Sequence, residues 1–262
     1  MQTAPYYLTA NHLKNLYKLP PKILFAGLIS CAALIPPVAT AKSCELPQWD
    51  ARYEISKYGT VVAQVNMSLR VNDDQAQYHL HTKAVGWLAA FSNEELTELS
   101  ELQHTDDNGW HLIKFSQQRV KDKQREQQFT VIPAEDILLI EGTAENKNFK
   151  LNSTSPIWDR SSSQLALTCD LLGADKPNAS YEYNIIDNGT LVNYHFDYRG
   201  AESIRIADKQ YNTYIFERIS GDRSTKFWLT PELQMMPIRI DQFKKGKLHL
   251  RMTLDRPAAD KS

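Results

Sequence analysis

What this chain has little of narrows its class first. Three cysteines and ten glycines in 262 residues exclude a disulfide-dense scaffold and a glycine-rich repeat. The apolar run from Ile23 is stopped at Ile35 by Pro36-Pro37, too short for a bilayer, which needs about 20 residues. Neither sign of charge dominates, with 30 Lys+Arg against 31 Asp+Glu. No basic stripe points to nucleic acid, and no polybasic segment would hold the chain to anionic lipid. HExxH, CxxC and Gly-x-Ser-x-Gly are all missing, so no catalytic set, metal or cofactor is expected.

What is present begins with a leader pattern. Lys14, Lys18 and Lys22, with no acid among the first 41 residues, precede the apolar run, and Ala39-Thr40-Ala41 closes it. That is the layout of a secretory signal, predicting cleavage between Ala41 and Lys42 and a periplasmic product. Leu28-Ile29-Ser30-Cys31 also fits a lipid-modified cysteine, so an outer-membrane lipoprotein anchored at Cys31 is the alternative. The residues after Cys31 stay apolar where a polar tether is usual, which favours the first. The expected organisation is a signal over 1–41, a short segment over 42–48, one domain over 49–256 and a tail over 257–262. After the leader, Cys44 and Cys169 remain, and an exported compartment would let them pair.

From Trp49 onward long stretches alternate with period two. Val61, Ala63, Val65, Met67, Leu69 and Val71 share one phase, and Gln64, Asn66, Ser68 and Arg70 the other, which reads as a half-buried strand. Tyr58-Gly59 and Asn188-Gly189 sit between such runs as hairpin turns. Similar runs at "AQYHLHTKAV", "WHLIKFSQQRV", "EQQFTVIP", "ILLIEG", "YNTYIFERIS", "RSTKFWLTP", "MMPIRIDQF" and "KLHLRMTLD" continue the meander. One helix is expected, with Ser155 as N-cap, Pro156 in the first turn and Gly173 as the stop. The fold class is therefore mainly β: a large curved antiparallel sheet, half-barrel or barrel-like, with one long helix packed across it. "SNEELTELSELQ" conflicts with this rhythm, because Leu96, Leu99 and Leu102 repeat at helical spacing.

Few residues invite chemistry. His79 and His81 share a strand face, but in the polar phase and without a third ligand, so they read as solvent-side residues. Glu94, Glu95, Glu98 and Glu101 could supply paired carboxylates, although such runs are usually solvated. Asp159 and Arg160 open the helix; Asp159 complements its dipole and Arg160 reaches a strand-end carboxylate, or both line a pocket mouth. With Trp87, Trp158 and Trp228, they are the candidate ligand-binding residues of a concave apolar face.

"ARYEISKYGTVVAQVNMSL", "GWLAAFSNEELTELSEL", "DRSSSQLAL" and "TKFWLTPELQMMPIRIDQFKKGKLHLRMTL", in that order, resemble the bacterial exported proteins catalogued as domain of unknown function 3108. The resemblance implies a strand at Glu94 to Gln103 despite the helical spacing. More distantly, the chain is similar to the half-barrel of periplasmic lipoprotein carriers, an analogy of fold that does not carry function. The expected protein is a non-enzymatic envelope protein, a monomer or weak oligomer, binding a lipid or other amphiphile or an envelope partner. A hydrolase or glycan-acting enzyme using Asp159 or the Glu94 to Glu101 group is the alternative.

Overall fold

The alternation from Val61 to Val71 becomes a strand whose Val65, Met67 and Leu69 are buried on one face, and the pattern repeats along the chain. The computed structural model describes residues 44–91, 94–106, 109–120 and 125–256. The expected leader, Cys31, the expected Ala41/Lys42 cut and the tail after Arg256 lie outside them. The first half holds β1 (Trp49–Lys57), β2 (Thr60–Asn72), β3 (Gln75–Ala84), helix α1 (Gly86–Phe91), β4 (Glu95–Thr105), β5 (Gly109–Val120), β6 (Arg125–Ala134), β7 (Ile137–Ala144) and β8 (Lys147–Ser153). The second holds β9 (Ile157–Asp159), helix α2 (Ser163–Leu172), β10 (Ser180–Asp187), β11 (Thr190–Ile206), β12 (Lys209–Ser220), β13 (Arg223–Thr230), β14 (Met236–Lys244) and β15 (Lys247–Arg256).

Among the described residues these fifteen strands form one sheet, ordered β8-β7-β6-β5-β4-β3-β2-β1-β15-β14-β13-β12-β11-β10-β9. The first and last strands of the domain pair antiparallel, so β1 and β15 join two meanders. Every pairing is antiparallel except that of β9 with β10. The sheet's two edges, β8 and β9, are consecutive in the chain, and the sheet therefore curls until they approach. A small apolar cluster bridges the approach: Leu112, Phe115, Phe129 and Ile140 from one arm pack with Ile157 and Ile186 from the other. The result is a nearly closed barrel-like sheet.

Local chemistry sets the corners. Tyr58-Gly59 (φ 51 and 80) and Asn188-Gly189 (φ 50 and 75) are positive at both central residues, as tight hairpins of this twist require. Gly200, at φ 106, marks a shift of register between Tyr198 and Ala201, where β11 bends and continues to Ile206.

The one long helix does not form. The segment after Ser155-Pro156 is strand β9, because Ile157 to Asp159 pair alongside Asn184 to Ile186. Asp159 then stops the strand: its Oδ1 accepts the backbone N–H groups of Ser161 and Ser162 at 2.7 and 3.0 Å. Only the ten residues of α2 are helical afterwards. Nor does α2 lie across the outside. Leu165, Ala166, Leu167 and Leu171 are buried in the same core as Met67, Leu69, Phe227 and Ile238 of the sheet, so the helix fills the barrel instead of covering it. Both described helices are short, and neither is long and apolar enough to cross a membrane.

Cys44 and Cys169 are joined by a disulfide, their Cα atoms 5.2 Å apart. The N-terminal segment is thereby fastened to α2, and Trp110 adds a hydrogen bond from its indole Nε1 to the carbonyl of Cys44 at 3.0 Å.

Candidate functional site

The stretch with conflicting periodicity builds the site. As strand β4 it buries Glu98, Ser100 and Leu102 on the inner face and leaves Thr97, Leu99 and Glu101 on the outer, so the three leucines of the helical spacing are split between faces. Glu98 is therefore a carboxylate aimed inward. Its Oε1 accepts from Gln117 Nε2 of β5 at 2.6 Å, and its Oε2 from Ser161 Oγ at 2.7 Å. Asp159, 0% exposed, accepts at Oδ2 from Ser100 Oγ at 2.7 Å and Ser162 Oγ at 2.5 Å. One network thus ties β4 and β5 to the turn before α2. Burial pushes Asp159 above the usual carboxylate range, and its hydroxyl and amide donors pull it back only in part. Burial also raises Glu98, opposed by the bonds from Ser161 and Gln117, raised again by the charge of Asp159 and lowered by that of Arg160. Beside them the fully buried Tyr78 hydroxyl has no hydrogen-bond partner among the described residues.

Beyond this network and the first turn of α2, the barrel is hollow. A cavity of about 440 Å³ has walls of Val65, Met67, Leu80, Phe227, Ile240 and Met252, and its volume falls in the range of small-molecule sites. Its charged lining is Glu98, Arg119, Arg160 and Arg218, and Thr82, Gln117, Ser161, Gln164, Thr225 and Gln242 add neutral polar groups. Arg119 pairs with Glu94 at 2.8 Å. Arg160 stands 3.9 Å from Asp187, the last residue of β10, so it does reach a strand-end carboxylate. Arg218 lies over the Tyr194 ring at 4.1 Å, and its buried Nε has no hydrogen-bond partner among the described residues. Burial lowers the Arg218 pKa, the Arg160 charge adds to that, and Tyr194 and Asp187 oppose it. The cavity is thus apolar along its sides and cationic at one end.

The candidate residues scatter around this cavity. Arg160 lines it, and Asp159 sits one layer behind. Trp87 stands on α1, exposed. Trp158 is packed in the core. Trp228 is also buried in that core but does not line the cavity: its Nε1 bonds Glu202 of β11, and Arg239 stacks on it at 4.2 Å. Glu95 and Glu101 are spent in surface ion pairs with Lys83 and Lys114, which separates them from Glu98. His79 and His81 lie in the outer phase, with His81 Nδ1 3.1 Å from Thr97 Oγ1. Gln117, Gln164 and Arg218 carry no such reading in the sequence, and Glu98 stands there only as one of four glutamates that could supply paired carboxylates. A signal existed: each of Glu98, Gln117 and Arg218 occupies the apolar phase of its strand, as in Leu96-x-Glu98-x-Ser100-x-Leu102 and Phe216-x-Arg218.

The profile of one protein family, described as protein of unknown function DUF3108, matches residues 49–255. The chain belongs to that family. The DUF3108 match runs from β1 to β15 and so includes every strand that lines the cavity. No curated protein matches the chain. Among solved structures, a β-barrel-like protein of domain of unknown function DUF1849 from Brucella abortus is similar at 9% identity and a TM-score of 0.57, over 83% of this chain and 100% of that one. That likeness is one of fold: a curved, nearly closed sheet.

The buried carboxyl pair has a consequence for pH. Both groups are raised on folding, so what they contribute to stability is complete below their unfolded values, near pH 4, and is lost as pH rises through the higher folded values. Glu98→Gln removes one of the two. Stability measured by urea titration from about pH 4 to pH 8 should therefore fall less steeply for Glu98→Gln than for the wild type. Parallel curves would show that Glu98 titrates as it does in the unfolded chain.

Proposed function

We propose that this DUF3108 protein is a non-enzymatic binding protein of the cell envelope, exported by its leader to the periplasm, which takes an amphiphile with an anionic head into the barrel. The observation that carries the reading is the uneven filling of the interior. Apolar side chains such as Met67, Leu80, Phe227 and Ile240 form the walls, and three guanidinium groups line the cavity against one carboxyl, that of Glu98. An acyl chain would lie along the walls, and its carboxylate or phosphate would meet Arg160 and the buried Nε of Arg218. A charged hydrogen bond in such a place is worth about 1.5–3 kcal/mol.

The hydrolase reading has less support, because the cavity lining contains a single carboxyl, Glu98, where glycoside chemistry needs two. Glu98 is also already held by two donors. The export half of the proposal is tested by the mass of the mature N-terminus: unmodified Lys42 supports it, and a diacylated Cys31 makes the protein a lipoprotein instead.

The binding half is tested by displacement of a fluorescent fatty acid and by mass spectrometry of lipids that copurify from envelopes. Arg218→Ala should weaken binding of the acid by roughly tenfold or more while leaving the matching long-chain alcohol unchanged. Equal effects on acid and alcohol would remove the anionic head from the proposal. No copurified lipid and no binding of either would remove the ligand.

A further inference from the structure

Antiparallel order places the hairpin turns at two ends of the barrel, and the two ends differ. At the end away from the cavity the turns are acidic and exposed: Asp73-Asp74 after β2, Asp106 after β4, Glu135-Asp136 after β6, Asp208 after β11 and Glu232 after β13. At the cavity end stand Lys57 at the end of β1, Arg223 at the start of β13, and Lys244, Lys245 and Lys247 around the β14–β15 turn. The backbone N–H of Lys245 donates to the carbonyl of Asp222 at 2.7 Å, which fuses the β12–β13 and β14–β15 turns into one patch. Among the described acids of this end, Glu94 pairs with Arg119, Glu95 with Lys83, and Asp187 with Arg160 and the Tyr194 hydroxyl; Glu126 and Glu145 are engaged as well, and Asp222 is exposed beside Arg223. A chain of formal net charge −1 therefore carries a basic pole.

The same end holds most of the exposed apolar bulk. Of eight large exposed apolar side chains among the described residues, six stand here: Tyr58 at 88% exposure, Trp87 at 57%, Phe91 at 83%, and Val120, Ile219 and Leu248. Trp87 and Phe91 belong to α1, Gly-Trp-Leu-Ala-Ala-Phe, a helix with no charged and no buried residue. Among the described residues, none buries a side chain of this helix. Large exposed apolar groups grouped at one site mark an interaction surface. Aromatic rings ringed by lysines match the interface of a bilayer with anionic headgroups, where rings sit at headgroup depth and lysines meet phosphates.

We propose that the cavity end of the barrel docks on an anionic bilayer surface, with Trp87, Phe91 and Tyr58 entering the headgroup layer and the Arg223/Lys244/Lys245/Lys247 patch meeting the phosphates. Docked in this way, the barrel presents its hollow half to the lipid. The surface is argued from the rim alone and stands whether or not the cavity holds a ligand.

The test uses protein purified in the form its cell accumulates, mixed with vesicles of phosphatidylcholine with or without phosphatidylglycerol and sedimented. Expected is binding that needs phosphatidylglycerol and weakens with salt. Trp87→Ser with Phe91→Ser, or Lys244→Glu with Lys245→Glu, should lower the partition coefficient by about tenfold or more. Neither pair of changes should alter the unfolding midpoint or the fatty-acid displacement assay. Asp73→Lys with Asp74→Lys, at the opposite pole, should leave vesicle binding unreduced. Equal binding to pure phosphatidylcholine, or binding indifferent to the rim variants, would overturn the proposal. So would a self-association abolished by the Trp87/Phe91 pair in the absence of any vesicle binding, which would give the face to a second copy of the chain. Loss of fatty-acid binding in Arg218→Ala with vesicle binding intact separates the two proposals.

Discussion

Replacing Cys44 and Cys169 by serine lowers the stability of the domain by about 4–5 kcal/mol, the loop-closure value for a link across more than 100 residues. The bond joins residues separated by 125 positions, so without it the unfolded chain regains the freedom of half its length. Native contacts change little, since Leu46 and the Trp110 bond to Cys44 still hold the segment. The loss is therefore expected in the unfolding midpoint of a urea titration, with the near-ultraviolet spectrum of the folded state retained. The chain-entropy figure is an upper one, because residual structure in the unfolded state reduces it. A loss below about 1 kcal/mol would mean that the unfolded chain keeps those two regions together anyway.

The second large effect is expected at Asp159. Asp159→Ala strips acceptors from two hydroxyls and two backbone N–H groups in a place without solvent, and the expected cost is about 3–5 kcal/mol. Asp159→Asn should cost much less, about 1–2 kcal/mol. Its Oδ1 still receives the N–H groups of Ser161 and Ser162, and the hydroxyls of Ser100 and Ser162 can turn to accept from the new amide. Paired thermal and urea unfolding of the two variants checks the contrast. If alanine and asparagine cost the same, the hydrogen bonds at this turn are not what holds α2 in the barrel.

Asp159 also shows where the sequence is legible and where it is not. That it belongs to a turn with a helix behind it could be read from the serines that follow. That the helix starts only at Ser163 could not, because Ile157 and Trp158 suit a helix as well as a strand until β10 stands beside them. Glu98 poses the same difficulty. Leu96, Leu99 and Leu102 fit a helix by spacing, and the family resemblance, not local propensity, indicated a strand. Once the stretch is a strand, the inward position of Glu98 follows from period two. Its partner Ser161 does not, since the two residues, 63 positions apart, are brought together only by curling of the sheet.

The sequence by itself determined the antiparallel meander, its hairpins at Tyr58-Gly59 and Asn188-Gly189, the family, and the two cysteines available to pair. Those features are local, written in alternation, in turn residues and in motif order. Only the tertiary structure decided that α2 fills one half of the barrel and leaves the other hollow, since that depends on how far the sheet curls before its edges meet. It also decided the polarity of the two ends. No run of basic residues marks this chain, yet antiparallel pairing delivers Lys57, Arg223 and Lys244 to one rim and Asp73, Glu135 and Asp208 to the other. Each turn contributes one to three charges, and only the order of the strands says which turns are neighbours.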